Sequence, residues 1–191
     1  MCKACCVTGN RPQKFPWDYE KSPNRELYLS DMYAAVTELI GEGYRLFISG
    51  GALGVDLDFA EAVLRAKKSY PEIKLELALP CEGHSENWGE RDKIRLAIIE
   101  HEADEVITLS ESYTPTCMQV RNRYMVDKSD LVYAFWSSGE RGGTKNTLAY
   151  AKKRKKFYRV YDLNILSHTE LHDQPDLFQI ALVNEKNNPP D

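Results

Sequence analysis

Three short stretches of the chain combine glycines with hydroxyl or guanidinium side chains, which is the chemistry of anion binding. They read "TGNR" at residues 8–11, "SGGALGVD" at 49–56 and "GGTKNT" at 142–147. Glycine lets a ligand come close to backbone N–H groups, a hydroxyl donates a hydrogen bond, and arginine offers two parallel N–H donors to a phosphate. The residues that we expect to contact a ligand on these grounds are Thr8, Gly9, Arg11, Ser49, Gly50, Gly51, Gly54, Asp56, Gly142, Gly143, Thr144 and Thr147.

None of the three stretches identifies a ligand by itself. Their glycine spacing is neither the G-x-G-x-x-G of dinucleotide-binding loops nor the G-x-x-x-x-G-K-[ST] of the P-loop. Each could equally be a tight turn that joins a strand to a helix, and Asp56 could be a carboxylate that simply favours the start of a helix. Three such stretches at one edge of a sheet would favour a ligand over three separate turns.

The surrounding sequence alternates short apolar runs with amphipathic segments, and that alternation predicts an α/β protein. The apolar runs predict strands at 4–9, 44–51, 74–80, 104–110, 130–136 and 157–163. The amphipathic segments between them predict helices, the third of which runs from about 86 to 101 and carries Ile94, Ala97 and Ile98. We expect a Rossmann-like three-layer sandwich, in which a mainly parallel sheet of about six strands is covered by helices on both faces.

Parallel sheets of this kind bind ligands beyond the carboxyl ends of their strands, at the point where the strand order reverses. The stretches at 8–11 and 49–56 begin at the ends of the first and second predicted strands, and the stretch at 142–147 follows the fifth. We therefore expect them to converge on one edge of the sheet and to form a pocket there. The Rossmann-like domain is predicted to span residues 1–163, and the polar tail at 164–191 is predicted to be partly helical or disordered.

Composition argues against several classes of function. No apolar run approaches the roughly 20 residues of a membrane helix, and the N-terminus lacks the pattern of a signal peptide, so we expect a cytoplasmic protein with no membrane partner. The formal net charge of −4 argues against a dedicated binder of duplex DNA. The basic run at 152–156 lies near the end of a predicted helix, where it would complement the helix dipole; contact with nucleic acid is the alternative.

The cysteines do not form a recognisable metal site. Cys2 and Cys5 make a C-x-x-C pair, but the sequence has no second pair, and a structural zinc site usually combines two. We therefore expect no metal, and we expect Cys5 and Cys6 to fill the first buried strand as small apolar residues.

The motifs resemble those of the SMF/DprA–LOG (SLOG) superfamily, and specifically of its YpsA-like branch. The stretch "SGGALGVD" is similar to the S-G-x-A-x-G-x-D signature of the DNA-processing protein DprA, and "TGNRP" to the T-G-x-R opening of the YpsA-like group. The run "MQVRNRYMVDKSDLVYAFW", followed by "GGT", resembles the region around M-x-x-R-x-x-x-M and G-G-x-G-T in the LOG phosphoribohydrolases. The similarity covers residues 4 to 162 or so.

This resemblance implies a Rossmann-like fold that binds a nucleotide or a nucleotide-derived ligand. It places Arg121 on the arginine that LOG enzymes use, together with a glutamate, to cleave an N-glycosidic bond. Tyr150 falls where that glutamate should be, and a tyrosine does not supply a negative charge at neutral pH. Asp56, Glu140 and Glu90 are the carboxylates that could take its place.

Three side chains allow two interpretations each. Trp136 and Trp88 would stack on a base if they line a pocket, whereas an aromatic residue after an apolar strand typically belongs to the core. Arg121 would be a solvated helix residue if it contacts no ligand. We expect Trp136 and Arg121 to be part of the ligand site.

These observations predict a protein that binds a nucleotide or nucleotide-derived small molecule in a regulatory or sensor role, with no required cofactor. A LOG-like enzyme, in which Arg121 is catalytic, is one alternative. A DprA-like single-stranded DNA binder is the other, and the acidic composition disfavours it. The resemblance to this superfamily also implies a possible homodimer.

Overall fold

The computed structural model describes residues 3–137 and 142–165, in which six strands alternate with five α-helices. A short 3-10 helix, Pro12–Lys14, follows the first strand. The strands are β1 (Lys3–Gly9), β2 (Tyr44–Ser49), β3 (Lys74–Leu79), β4 (Glu105–Thr108), β5 (Leu131–Trp136) and β6 (Phe157–Asp162). The helices are α1 (Asn24–Gly41), α2 (Val55–Lys67), α3 (Glu90–Glu102), α4 (Cys117–Lys128) and α5 (Gly143–Lys153).

The strands form one parallel sheet in the order β4-β3-β2-β1-β5-β6. From β1 the chain proceeds outward through β2 and β3 to β4, and then returns to the other side of β1 to add β5 and β6. The strand order therefore reverses between β1 and β5, whose carboxyl ends are level because Gly9 lies opposite Phe135. The predicted Rossmann-like sandwich is confirmed.

Helices cover both faces of the sheet. The helices α1, α2 and α3 pack on one face, and α4 and α5 pack on the other. Successive strand residues point to opposite faces, so Cys5 belongs to the first core and Cys6 to the second, both fully buried as predicted. Among residues 3–137 and 142–165, no helix combines the length and the apolarity that a membrane span requires.

The third helix differs from its prediction. It begins at Glu90 rather than near 86, because the chain from 83 to 88 forms successive turns and Gly89 is still extended. Its buried residues are Leu96 and Ile99, whereas Ile94 is 60% exposed and Ile98 is 55% exposed. Two apolar stripes overlap on this helix, and periodicity alone does not say which of them faces the sheet.

The connection between β1 and α1 is fastened to the first core. Phe15 packs edge-on against Tyr28, with ring centroids 5.3 Å apart. The hydroxyls of Tyr19 and Tyr28 both donate to the buried carboxylate of Asp58, which also accepts from Arg95 at 2.6 Å. This anchoring holds the first part of the connection, with Arg11 and Lys14, at the carboxyl edge of the sheet.

The predicted domain boundary at residue 163 lies near the end of the described chain. Most of the tail, from 166 onward, lies outside the described residues, as do Cys2 and Glu140. The domain limits and the state of the tail therefore stay predictions.

Candidate ligand-binding site

A cavity of about 460 Å³ opens at the carboxyl ends of β1 and β5, where the strand order reverses. Its walls come from the residues that follow these two strands, from the first turns of α2 and α5, and from one side of α4. The lining residues are Thr8, Gly9, Asn10, Arg11, Lys14, Ala52, Asp56, Met118, Arg121, Asn122, Met125, Trp136, Ser137, Gly142, Gly143 and Thr144.

A buried ion pair joins α2 to α4 in the wall of this cavity. The Arg121 Nη1 donates to Asp56 Oδ2 at 2.9 Å, and the two residues are only 5% and 7% exposed. The Arg121 Nε is buried as well and has no hydrogen-bond partner among the described residues. Arg121 is therefore not a solvated helix arginine, and one edge of its guanidinium is left without an acceptor.

The ion pair explains why position 50 is a glycine. A Cβ on Gly50 would lie 1.3 Å from Arg121 Nη1 and 2.6 Å from Asp56 Oδ2. Gly54 has a φ of +88°, and a Cβ there would lie 2.5 Å from the Asn10 carbonyl oxygen. These glycines allow the second stretch to pack against Arg121 and against the residues after β1.

The second stretch contributes less of the cavity surface than its glycines suggested. Only Ala52 and Asp56 of residues 49–56 line the cavity. Gly51 packs instead toward Leu79, and the Ser49 hydroxyl donates to the Asp56 carbonyl at 2.7 Å. Ser49, Gly50, Gly51 and Gly54 thus lie behind the wall and support it.

Residues after β1 bring two cations to the cavity. Burial lowers the pKa of the Arg11 guanidinium; the Asp56 carboxylate opposes that shift and the Arg121 cation adds to it. Arg11 and Lys14 make no side-chain hydrogen bond or ion pair with any residue in 3–137 or 142–165. The side chains of both are available to an anion in the cavity.

The first turn of α5 supplies backbone donors. The Thr144 hydroxyl donates to the Gly9 carbonyl at 3.0 Å, and the Thr147 hydroxyl donates to the Gly143 carbonyl at 2.8 Å. Thr147 also accepts from Asn122 and lies outside the cavity. Both hydroxyls therefore hold the first turn of the helix in place.

The apolar part of the wall comes from Trp136 and from one face of α4. Trp136 is half-buried and lines the cavity, as expected, whereas Trp88 lies outside it with its ring edge-on to His84. Met118 and Met125 flank Arg121 at spacings of three and four residues along α4. This helical spacing in "MQVRNRYM" was the signal by which they could have been found.

Other lining residues had weaker signals in the sequence. Asn10 and Ser137 both direct hydrogen bonds to the Lys14 carbonyl and thereby fix the connection after β1. Asn122 is turned toward α5 through Thr147. Nothing in the spacing of "NRPQK" distinguished Lys14 from an ordinary surface lysine.

Asp56 is the one carboxylate in the described part of the cavity wall. Glu90 begins α3 and does not line the cavity, and Glu140 lies outside the described residues. Tyr150 is also outside the cavity, and its hydroxyl donates to Asp127 at 3.0 Å. The described wall thus offers an anion site with a single acidic group, and that group is held by Arg121.

The described residues contain no group of three or more His, Cys, Asp or Glu side chains that could hold a metal ion. Their cavity presents guanidinium, ammonium and backbone N–H donors, together with an aromatic ring. That combination suits an anionic organic ligand.

Sequence comparison finds relatives that match most of the chain. The uncharacterised SPbeta prophage-derived protein YoqJ of Bacillus subtilis strain 168 is 32% identical over 157 residues, which cover 75% of this chain and 91% of that protein. A UPF0398 protein of Bacillus cereus strain G9842 is 28% identical over 173 residues, which cover 90% of this chain and 94% of the relative.

Solved structures share the fold at low identity. DNA processing protein A from Helicobacter pylori, whose structure describes a single-stranded DNA binding mode, matches with a TM-score of 0.57 and 18% identity over 97% of this chain and 74% of that chain. The X-ray structure of TM1055 matches with a TM-score of 0.53 and 17% identity, over 96% of this chain and 99% of that chain. Likenesses at these identities establish the fold alone.

A family model covers nearly the whole described chain. The model of the YspA SLOG family matches residues 5–171, which include β1 to β6 and every residue that lines the cavity. The chain belongs to the YspA SLOG family, in agreement with the resemblance of its motifs.

Proposed function

We propose that this protein binds a nucleotide or nucleotide-derived ligand in the cavity between β1 and β5, in a regulatory or sensor role. The observation that carries the proposal is the buried Arg121 Nε, which has no hydrogen-bond partner among residues 3–137 and 142–165. Leaving a buried donor unpaired costs about 1–3 kcal/mol, and more for a charged group. A phosphate oxygen in the cavity would remove that cost, and the fixed contact with Asp56 holds the guanidinium ready for it.

The other walls suit the remaining parts of a nucleotide. The first turn of α5 supports the placement of a phosphate, because the helix dipole attracts anions to a helix N-terminus. Trp136 offers a face for a base. Arg11 and Lys14 add positive charge at the same cavity.

The residues of the described wall are better suited to binding a ligand than to cleaving its N-glycosidic bond. Glycoside cleavage uses a carboxylate as nucleophile or base, and the one carboxylate in the described wall is bonded to Arg121. A LOG-like enzyme is the alternative, and an activity assay tests it directly. Incubation with nucleoside monophosphates should release no free base, and release that disappears in Arg121→Gln would favour the enzyme.

Single-stranded DNA is a second candidate ligand. Arg11 and Lys14, which make no side-chain hydrogen bond or ion pair with the described residues, favour it, because a nucleic acid backbone offers the same phosphate chemistry. The fold shared with DNA processing protein A adds support, and it weakens the argument from acidic composition against nucleic acid. Binding of a fluorescent oligodeoxythymidine that weakens as salt rises, and weakens further in Lys14→Gln, would support DNA. Absence of binding at low salt would remove it.

Thermal unfolding with a panel of nucleotides tests the proposal. Nucleoside mono- and diphosphates, NAD and ADP-ribose are each added at millimolar concentration, and at least one should raise the unfolding temperature, since a ligand at about 100 times its Kd adds about 2.7 kcal/mol. Arg11→Gln should lose most of that shift, because the Arg11 guanidinium lines the cavity and makes no hydrogen bond or ion pair with the other described residues. The matched control is Arg123→Gln, whose guanidinium lies on the Tyr150 ring outside the cavity. Absence of any shift in the wild-type protein would overturn the proposal.

A further inference from the structure

The outer face of α3 carries two largely exposed isoleucines. Ile94 is 60% exposed and Ile98, about one turn later, is 55% exposed. Val106 of the edge strand β4 adds to this apolar surface: it is 43% exposed and lies opposite Leu77, whose side chain belongs to the core on the α3 side of the sheet. Single exposed apolar side chains are ordinary, whereas several on one face indicate a surface that contacts another protein.

Exposed residues of opposite charge lie at the two ends of this apolar face. Arg91 comes three residues before Ile94, and Glu102 comes four residues after Ile98. At 3.6 residues per turn, the four side chains fall within a sector of about 80° and along a length of about 16 Å. We call these four residues the α3 stripe; from its N-terminal end it reads positive, apolar, apolar, negative.

The charges of the α3 stripe are only weakly paired within the described chain. Arg91 Nη1 donates to Glu20 at 3.0 Å, but the two side chains are 80% and 51% exposed, and ion pairs at such exposure contribute little. Glu102 makes no hydrogen bond or ion pair with any residue that the structure describes. The neighbouring acid Glu90 is paired with Lys93 at 3.1 Å. Arg91 and Glu102 can therefore both pair with charges on a partner.

The α3 stripe is complementary to itself in one orientation. When two copies of the helix run antiparallel about a twofold axis midway along the stripe, Arg91 of one copy faces Glu102 of the other, and Ile94 faces Ile98. In a parallel arrangement each charged side chain would face the same charge. Contact of one surface with its own copy about a twofold axis is the commonest arrangement in homodimers.

We propose that two copies of this chain associate through the α3 stripe, with their α3 helices antiparallel. Ile94 and Ile98 form the apolar centre of the contact, and two pairs of Arg91 with Glu102 lie at its ends. A pair of helices of this length makes a small interface, so monomer and dimer should exchange reversibly at micromolar concentrations. No residue of α3 lines the cavity, and each copy therefore keeps its own ligand site.

Sedimentation equilibrium of the whole chain tests the proposal. The measured mass should rise from 21.9 kDa towards twice that value as the concentration increases. Ile98→Lys should raise the dissociation constant of the dimer more than about a hundredfold, because each dimer loses two buried apolar side chains. Val120→Lys is the matched control: Val120 is 45% exposed on α4, outside the α3 stripe, and its replacement should leave the dissociation constant unchanged.

Exchange of the end charges tests the antiparallel orientation. Arg91→Glu and Glu102→Arg should each weaken association about tenfold, because two ion pairs in each dimer become pairs of like charge. The double variant should restore the wild-type dissociation constant, since it re-forms both pairs with the signs reversed. Thermal unfolding of each variant, at a concentration where the protein is monomeric, verifies that it is folded.

A wild-type protein that stays monomeric at every concentration would overturn the proposal. If Ile98→Lys were then less stable than this monomer, the α3 stripe would be covered by other residues of the same chain. A dimer that persists unchanged in Ile98→Lys would also overturn the proposal, because the contact would lie elsewhere. A double variant that associates as weakly as the two single variants would overturn the antiparallel orientation.

Discussion

The Arg121 guanidinium has a different neighbour on each side. Nη1 is bonded to Asp56, the backbone of Gly50 lies directly against it, and Nε faces no acceptor. A buried ion pair such as Arg121–Asp56 requires that both partners keep their positions, because displacing one leaves the other charge buried without a partner. The position of Arg121 therefore depends on a residue, Gly50, that does not touch the cavity.

Gly50→Ala tests this dependence. The new Cβ would overlap Nη1, and we expect the free energy of unfolding to fall by about 3 kcal/mol through overpacking and loss of the ion pair. Chemical denaturation measures it. Gly41→Ala is the control, because nothing lies within 4 Å of a Cβ there and alanine favours the helix end by up to about 1 kcal/mol. Equal stability of the two variants would contradict this account of Gly50.

His84 gives the fold a dependence on pH. Burial lowers its pKa below the ordinary value of 6.5; a bond with the Gly51 carbonyl opposes the shift, and the Arg121 and Arg11 cations add to it. With a lowered pKa in the folded state, the unfolded chain takes up the proton first as the pH falls. Stability contributed by His84 is thus present above pH 6.5 and lost as the pH falls through the folded pKa.

Denaturation curves at about pH 7 and about pH 5 check this prediction. The wild-type protein should lose more stability over that range than His84→Gln, which keeps a polar group near Gly51 but does not titrate. An identical loss in both proteins would show that His84 does not contribute to it.

Residue types in the sequence predicted most of the cavity wall but not their roles. Thr144, which was expected as a ligand donor, lines the cavity, and its hydroxyl donates to the Gly9 carbonyl. The partnership of Asp56 with Arg121 spans 65 residues. No local pattern encodes such a contact.

Among the elements, the connection between β1 and α1 positions two of the cations that line the cavity. It carries Arg11 and Lys14, and it is anchored by the Tyr19 hydroxyl on Asp58, which also accepts from Tyr28 in the first turns of α1. Burial raises the pKa of Asp58, while Arg95 and Tyr19 favour its charged form. The cavity cations are thus positioned through a cluster on the far side of α2.

Tyr28→Phe should weaken this anchor with little change in shape. It removes one bond to a buried carboxylate, and we expect a loss of about 2 kcal/mol in the free energy of unfolding, since hydrogen bonds to charged groups are worth about 1.5–3 kcal/mol. Tyr113→Phe is the control because Tyr113 is 69% exposed, and its effect should stay within about 0.5 kcal/mol. A loss in Tyr28→Phe no larger than in Tyr113→Phe would contradict the anchoring role.

Element type was easier to predict than element orientation. Alternating apolar runs and amphipathic segments predicted all six described strands, because each strand is a short run that is separated from the next by an amphipathic helix. For α3 the same reasoning emphasised Ile94 and Ile98, which face outward. Which stripe is buried depends on the packing of α2, a contact between distant segments.

For the whole molecule, the sheet order determines where a ligand can bind. The chain adds β2, β3 and β4 on one side of β1 and then β5 and β6 on the other, so the crevice between β1 and β5 is open. The alternation of strands and helices in the sequence was enough to predict that the three glycine stretches meet at one edge of the sheet. Which of the three glycine stretches would face the crevice depended on the strand order: the stretches at 8–11 and 142–147 contribute more of the wall than the stretch at 49–56, which contributes only Ala52 and Asp56.

The central claim is that a nucleotide phosphate pairs with the Nε edge of Arg121, and the Nε–H signal of this side chain in a 1H–15N NMR titration reports on this directly. The ligand is whichever nucleotide stabilises the protein most in the thermal panel. We predict that the Arg121 Nε–H resonance shifts downfield and exchanges more slowly with water, and that the amides of Gly143 and Thr144 shift with the same midpoint. A saturating titration in which these three signals stay unchanged while others move would contradict the account.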